Sequence, residues 1–173
     1  MSITSFQHHH TVGLLGVFSV AFGATVSAAE DLTPFLLEAS AFVTQATEED
    51  IPAVSVRRGH QMELQAAVFG EGASHPFNHV DIAAAFDPIR GEIIIMGDVD
   101  LASPLGLSFL VHELVHSQQF ATGRQSDTPC PGSLEAEAYA LQARFLRSRG
   151  LPQDALLYDI LGMMQASCNE YLR

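Results

Sequence analysis

Seven residues, Leu110-Val111-His112-Glu113-Leu114-Val115-His116, constrain this chain more than any other stretch of it. Histidines four apart stand one turn apart on the same face of an α-helix. Two imidazoles so placed hold one Zn²⁺, and a glutamate beside the first can take a proton from metal-bound water. The run therefore calls for a helix, and for a fold that brings a third ligand to its metal-bearing face.

The surrounding pattern predicts a helix from about Pro104 to Thr122, ended by Gly123. On its wheel Leu107, Leu110, Val111 and Leu114 share the side that should bury. Leu105, Phe109, His112, His116 and Phe120 share the other, as the floor of a cleft would. Catalytic zinc takes three protein ligands and keeps a fourth position open. Positions 119 and 122 are Gln and Thr, which excludes the arrangement with a third histidine on an extended motif.

The next helix, expected from an N-cap at Ser133 to Arg149, offers Glu135 and Glu137. Two residues apart, they lie about 200° apart and cannot both face one metal. Glu135 shares its edge with Tyr139, Gln142 and Leu146, all uncharged; Glu137 shares its edge with Arg144 and Arg147. The wheel favours Glu135 as third ligand and leaves Glu137 as the alternative. First-turn acids also favour the helix dipole, so neither needs a metal to explain it.

His112-Glu113-x-x-His116 followed by Glu135-x-Glu137-Ala138-Tyr139 resembles the gluzincin metallopeptidases, in their compact branch with an E-x-x-A second motif. Tyr139 stands where that branch carries Asp or Asn. The text around both motifs is also similar to small uncharacterised bacterial zincin-like secreted proteins. The resemblance covers roughly residues 92–145. It implies one Zn²⁺ on His112, His116 and Glu135, with Glu113 as catalytic base. It also implies that Glu92 to Met96, the strand before the active helix, runs along the cleft as an edge for an extended peptide. Tyr139 and Glu137 are candidates for the shell around the ligands, Tyr139 also for polarising a substrate carbonyl. His75 and His79 read as surface-loop residues, with lining the cleft or binding a second metal as the alternatives, and His60 reads as surface.

Residues 1–28 contain no Asp, Glu, Lys or Arg. An apolar run from Val12 to Ala24 and the small-x-small pattern Val26-Ser27-Ala28 read as a secretory signal peptide, cleaved near Ala28/Ala29. The run is shorter than the ~20 residues a membrane span needs. Export to the periplasm or beyond follows, with residues 29–173 as a single domain. In that setting Cys130 and Cys168 suggest one disulfide. The net charge of −12, with every basic residue an Arg, disfavours nucleic acid and anionic membranes as partners.

The remaining pattern gives a helix over 33–45, a strand over 51–57, an ambiguous 62–69 leaning to strand, and a strand pair at 80–86 and 92–96. Arg124 to Gly132 reads as a polar loop, and a last helix begins at Pro152 or Asp154 and runs to about Tyr171, with Leu157, Ile160, Leu161, Met164, Cys168 and Tyr171 as its core-packing stripe. The expectation is an α+β, compact zincin-like domain: a small β-sheet packed on the active-site helix and two further C-terminal helices. A monomeric zinc peptidase with a peptide or protein substrate leads. A secreted zinc-binding protein without turnover is the alternative, because few residues remain to build the far wall of a cleft. A peptidase covered by its own C-terminal segment is a third reading.

Overall fold

The computed structural model describes residues 30–70, 81–128 and 130–167. The elements run α1 (Thr33–Thr47), β1 (Ser55–Gly59), α2 (Gln61–Phe69), β2 (Ala84–Asp87), β3 (Glu92–Met96), α3 (Pro104–Ala121), α4 (Arg124–Asp127), α5 (Pro131–Ser148) and α6 (Pro152–Ala166). Among the described residues, six helices and one three-stranded sheet make an α+β arrangement. Helices α1, α3, α5 and α6 each open with a proline in their first turn, where the missing N–H costs nothing. No helix among the described residues is long and apolar enough to cross a membrane.

The sheet is ordered β1-β3-β2, with β3 parallel to β1 and antiparallel to β2. Ile93, Ile94 and Ile95 are all buried because β3 is covered on both faces. Alternation sends Ile93 and Ile95 into the main core and Ile94 towards Leu64 of α2 and Ala85 of β2. Gly91, at φ +62°, supplies the left-handed residue that lets the chain turn from β2 into β3.

The main core is the inner side of α3, with Leu107, Leu110, Val111 and Leu114 buried against Ala39 and Val43 of α1, the sheet, and Phe145 of α5. Phe42 meets Phe145 edge to face at 5.1 Å. A second cluster joins α5 to α6 through Ala143, Leu146, Ala155 and Tyr158. At the start of α5 a Cβ on Gly132 would overlap the carbonyl of Gln165, so that turn lies directly on the end of α6. Buried Gln118 donates to Thr47 Oγ1 (3.1 Å) and Glu49 O (2.9 Å), fastening α3 to the end of α1.

Five expectations are corrected. On α6, Leu157, Ile160 and Met164 are exposed, and the residues buried against α5 are Ala155, Tyr158 and Gly162. Residues 61–69 form a helix, entered by a hydrogen bond from His60 N to Glu63 Oε2 (2.9 Å), and not a strand. Strand β3 is the centre of the sheet; the edge on the cleft side is β2. Ser133 lies inside α5, donating to Cys130 O (2.7 Å), and Cys130 holds the N-cap position. The stretch after Gly123 winds into the short helix α4. Residues 1–29, His75, His79 and Cys168 lie outside the described residues, so the cleavage site, the loop histidines and the Cys130–Cys168 bridge stand as sequence expectations.

Candidate metal centre

Helix α3 presents His112 and His116 from its outer side, and α5 crosses it to bring Glu135 between them. Glu135 Oε2 lies 3.4 Å from His112 Nε2, and its Oε1 lies 3.3 Å from His116 Nε2. The two Nε2 atoms are 3.1 Å apart. One donor atom from each of the three residues falls within 4.8 Å of the others, a spacing that one metal ion can bridge.

The hydrogen bonds behind the rings settle which nitrogens face inward. Ser108 Oγ donates to Leu105 O (2.6 Å), so it can only accept from Gln142 Nε2 (3.0 Å). That turns Gln142 Oε1 towards His112 Nδ1 at 3.1 Å, which must then carry the proton. Likewise Gln119 Nε2 has two pure acceptors, Leu134 O and Glu137 Oε2, both at 2.9 Å. Its Oε1 therefore accepts from His116 Nδ1 at 2.8 Å. Both Nε2 lone pairs are left pointing at each other and at a carboxylate.

Three acceptors converging on one point require a cation. In the metal-free protein that cation is a proton on His116. Burial disfavours its charged ring, but the hydrogen bond to Glu135 and the charges of Glu113 and Glu135 outweigh burial and hold its pKa at about 9. Burial opposes the charged form of Glu135 too; the two histidine hydrogen bonds win and keep its carboxyl far below the usual carboxylate range.

Glu113, on the same helix, points past the rings to β2, where its Oε2 accepts from Phe86 N at 2.8 Å. Tyr139 packs its ring edge-on to His112 at 4.6 Å and stacks on Tyr158 at 6.0 Å. Burial first, and then the charges of Glu135 and Glu113, push its hydroxyl up to about 12. Tyr139 is thus a neutral hydrogen-bond donor across the whole range in which proteins work.

A cavity of about 730 Å³ opens over these groups. Its walls are mostly apolar: Phe86 of β2, Phe109 and Phe120 of α3, Leu134 of α5, and Tyr158 and Leu161 of α6 among them. Phe120 meets Phe86 edge to face at 6.0 Å across the mouth. The α3 wheel is realised, except that Leu105 is half-exposed and away from the cavity.

Of the two glutamates, Glu135 is the one that lies against both histidines, and the surroundings of Glu137 differ from its helix edge. Glu137 pairs with neither Arg144 nor Arg147. It accepts from Arg124 Nη1 at 2.8 and 3.1 Å and from Gln119, and Arg124 reaches on to Glu49 (3.1 Å). So Glu137 anchors the glutamine that holds His116. Gln119, Gln142 and Ser108 were not singled out by motif reasoning. Helical spacing could have found two of them: Gln119 is one turn after His116, and Gln142 is two turns after Glu135. His60 is exposed and takes no part.

One family model matches the chain, that of DUF6647, a domain of unknown function, over residues 27–171. No curated protein and no solved structure matches.

Proposed function

We propose that this chain, which belongs to the DUF6647 family, is a zinc-dependent metallopeptidase that binds one Zn²⁺ through His112, His116 and Glu135. The observation that carries this reading is the convergence of three acceptors, two of them imidazole nitrogens fixed as lone pairs by Gln119 and Gln142. Two neutral imidazoles and one carboxylate are the donor set of a catalytic zinc, with room for a fourth ligand on the cavity side. When bound, zinc supplies a Lewis acid that acidifies a water and polarises the scissile carbonyl.

The remaining steps belong to the chain. Glu113 takes the water's proton and returns it to the leaving amine. Its Oε2 is anchored by the Phe86 N–H, and among the described residues its other oxygen has no hydrogen-bond partner, which leaves it for the proton. Tyr139, beside the ligands and neutral, donates to the substrate oxygen on which charge develops. Among the described strands β2 is an edge strand that lines the cavity, and an extended peptide can pair along it beside the Phe86 N–H that Glu113 holds.

The test is hydrolysis of an unfolded protein by the mature chain, with zinc, with chelator, and in the Glu113→Gln variant. Zinc-dependent turnover that the variant lacks supports the reading. Zinc bound at one equivalent without turnover sinks the peptidase reading and leaves a zinc-binding protein.

A further inference from the structure

Helix α6 is apolar on both of its sides. Ala155, Tyr158 and Gly162 are buried on the inner side, which packs on α5. Leu156, Leu157, Ile160, Met163 and Met164 form the outer side and are 57, 54, 42, 66 and 67 % exposed. At ~100° per residue these five fall within an arc of about 120°. Within the helix only Gln153 shares that arc. The other exposed large apolar residues described, such as Leu37, Met62 and Ile89, are scattered over other elements. A helix that is apolar all round is normally covered on every side, and a contiguous apolar face marks an interaction site.

We propose that this face pairs with the same face of a second copy of the chain, as an antiparallel, two-fold helix pair centred on Ile160. The pattern reads the same in both directions. Leu156 and Met164 stand equally far from Ile160, and so do Leu157 and Met163. A two-fold contact requires this, because residue i must meet j while j meets i. Leu156 then meets Met164 of the partner subunit, Leu157 meets Met163 of the partner subunit, and Ile160 meets its own counterpart.

Charge argues against a lipid occupant. Helix α6 carries Asp154 and Asp159 and no basic residue, in a chain of net charge −12. Helices that lie on membranes depend on Lys and Arg around the apolar face. In the antiparallel pair neither aspartate faces an acid, and Asp159 is already paired with Arg147 of α5. The five side chains offer roughly 500 Å² per copy, hence about 1,000 Å² in the pair, the lower bound for a specific interface. The association should therefore be concentration-dependent. It should tighten with salt, because two copies of charge −12 repel and salt screens them. The sequence alone suggests a monomer; the outer face of α6 points to a dimer, independently of the metal.

Sedimentation velocity of the mature chain over roughly 1–100 μM tests it. A twofold rise in mass with concentration, enhanced by salt, is expected; a single-copy mass throughout overturns the proposal. Ile160→Glu opposes two carboxylates across the axis and should keep the single-copy mass with unchanged zinc content and circular dichroism. Leu37→Glu, on another exposed apolar residue, should still dimerise. Leu157→Glu alone should abolish the pair, and Leu157→Glu with Met163→Arg should restore it, since only an antiparallel pair sets 157 against 163. Failure of that rescue overturns the antiparallel register. Flotation with phosphatidylcholine vesicles by a protein of single-copy mass overturns the proposal in favour of lipid.

Discussion

Replacing Glu135 by Ala tests the metal centre most sharply, provided pH is controlled. Glu135 is the carboxylate that reaches both ring nitrogens, at 3.3 and 3.4 Å. Outer-shell changes cost about 10–100-fold in metal affinity, so loss of a direct ligand should cost more than ~100-fold. Proton competition hides part of this. In the intact metal-free protein His116 has a pKa of about 9, so at pH 7 zinc must displace a proton. One proton with that pKa weakens binding about 100-fold at pH 7 and about twofold at pH 9, a roughly 50-fold rise in affinity between them. Without Glu135, His116 falls back towards its ordinary value and the variant's affinity becomes nearly flat over that range. The ligand loss is therefore under-read at pH 7 and seen at its full size at pH 9. Competitive chelator titration at both pH values measures it, with Glu137→Ala alongside. Gln119 keeps Leu134 O as a partner when Glu137 is gone, so that variant should lose only about 10-fold. Glu135→Ala binding as tightly as the intact protein at pH 9, or Glu137→Ala losing more than Glu135→Ala, would refute the assignment.

Glu113→Gln should retain zinc and lose at least ~10²-fold in turnover, because the amide cannot take the water's proton; metal analysis and a peptidase assay on one preparation check both. Chelated protein should melt highest at about pH 5–6. Glu135 contributes stability above its unfolded value of 4.5 and loses it as pH falls; His116 contributes below 6.5 and loses it as pH rises through about 9. A melting profile of chelated protein that still climbs from pH 7 to pH 9 contradicts this. Mass spectrometry of non-reduced protein should find Cys130 joined to Cys168, and reduction should lower the melting temperature, a closed loop of that size being worth roughly 4 kcal/mol on the chain-entropy model.

The site was legible where the chemistry is local. Histidines at i and i+4 carry their geometry in the sequence, and the contrast between the Glu135 and Glu137 edges followed from helical periodicity. What lies across elements was not. Glu137 draws its cation from Arg124, thirteen residues back on a helix that composition does not announce. Helix α2 buries only Leu64, so its sequence shows no stripe and reads equally well as a strand. The central place of β3 was readable: an uninterrupted Ile93-Ile94-Ile95 is what a strand covered on both faces requires. The resemblance drew attention to its position before α3 instead.

All three groups of the proposed metal site lie within residues 112–135, inside the hairpin of α3 and α5. If the site takes zinc as proposed, the ion would meet both histidines on a single helical turn before any long-range contact exists. Capturing Glu135 then closes one short loop, a small entropic cost next to that of assembling the sheet. A nascent chain that meets the metal early would have its α3–α5 corner fixed first, and α6 and the sheet would dock onto a hairpin already joined.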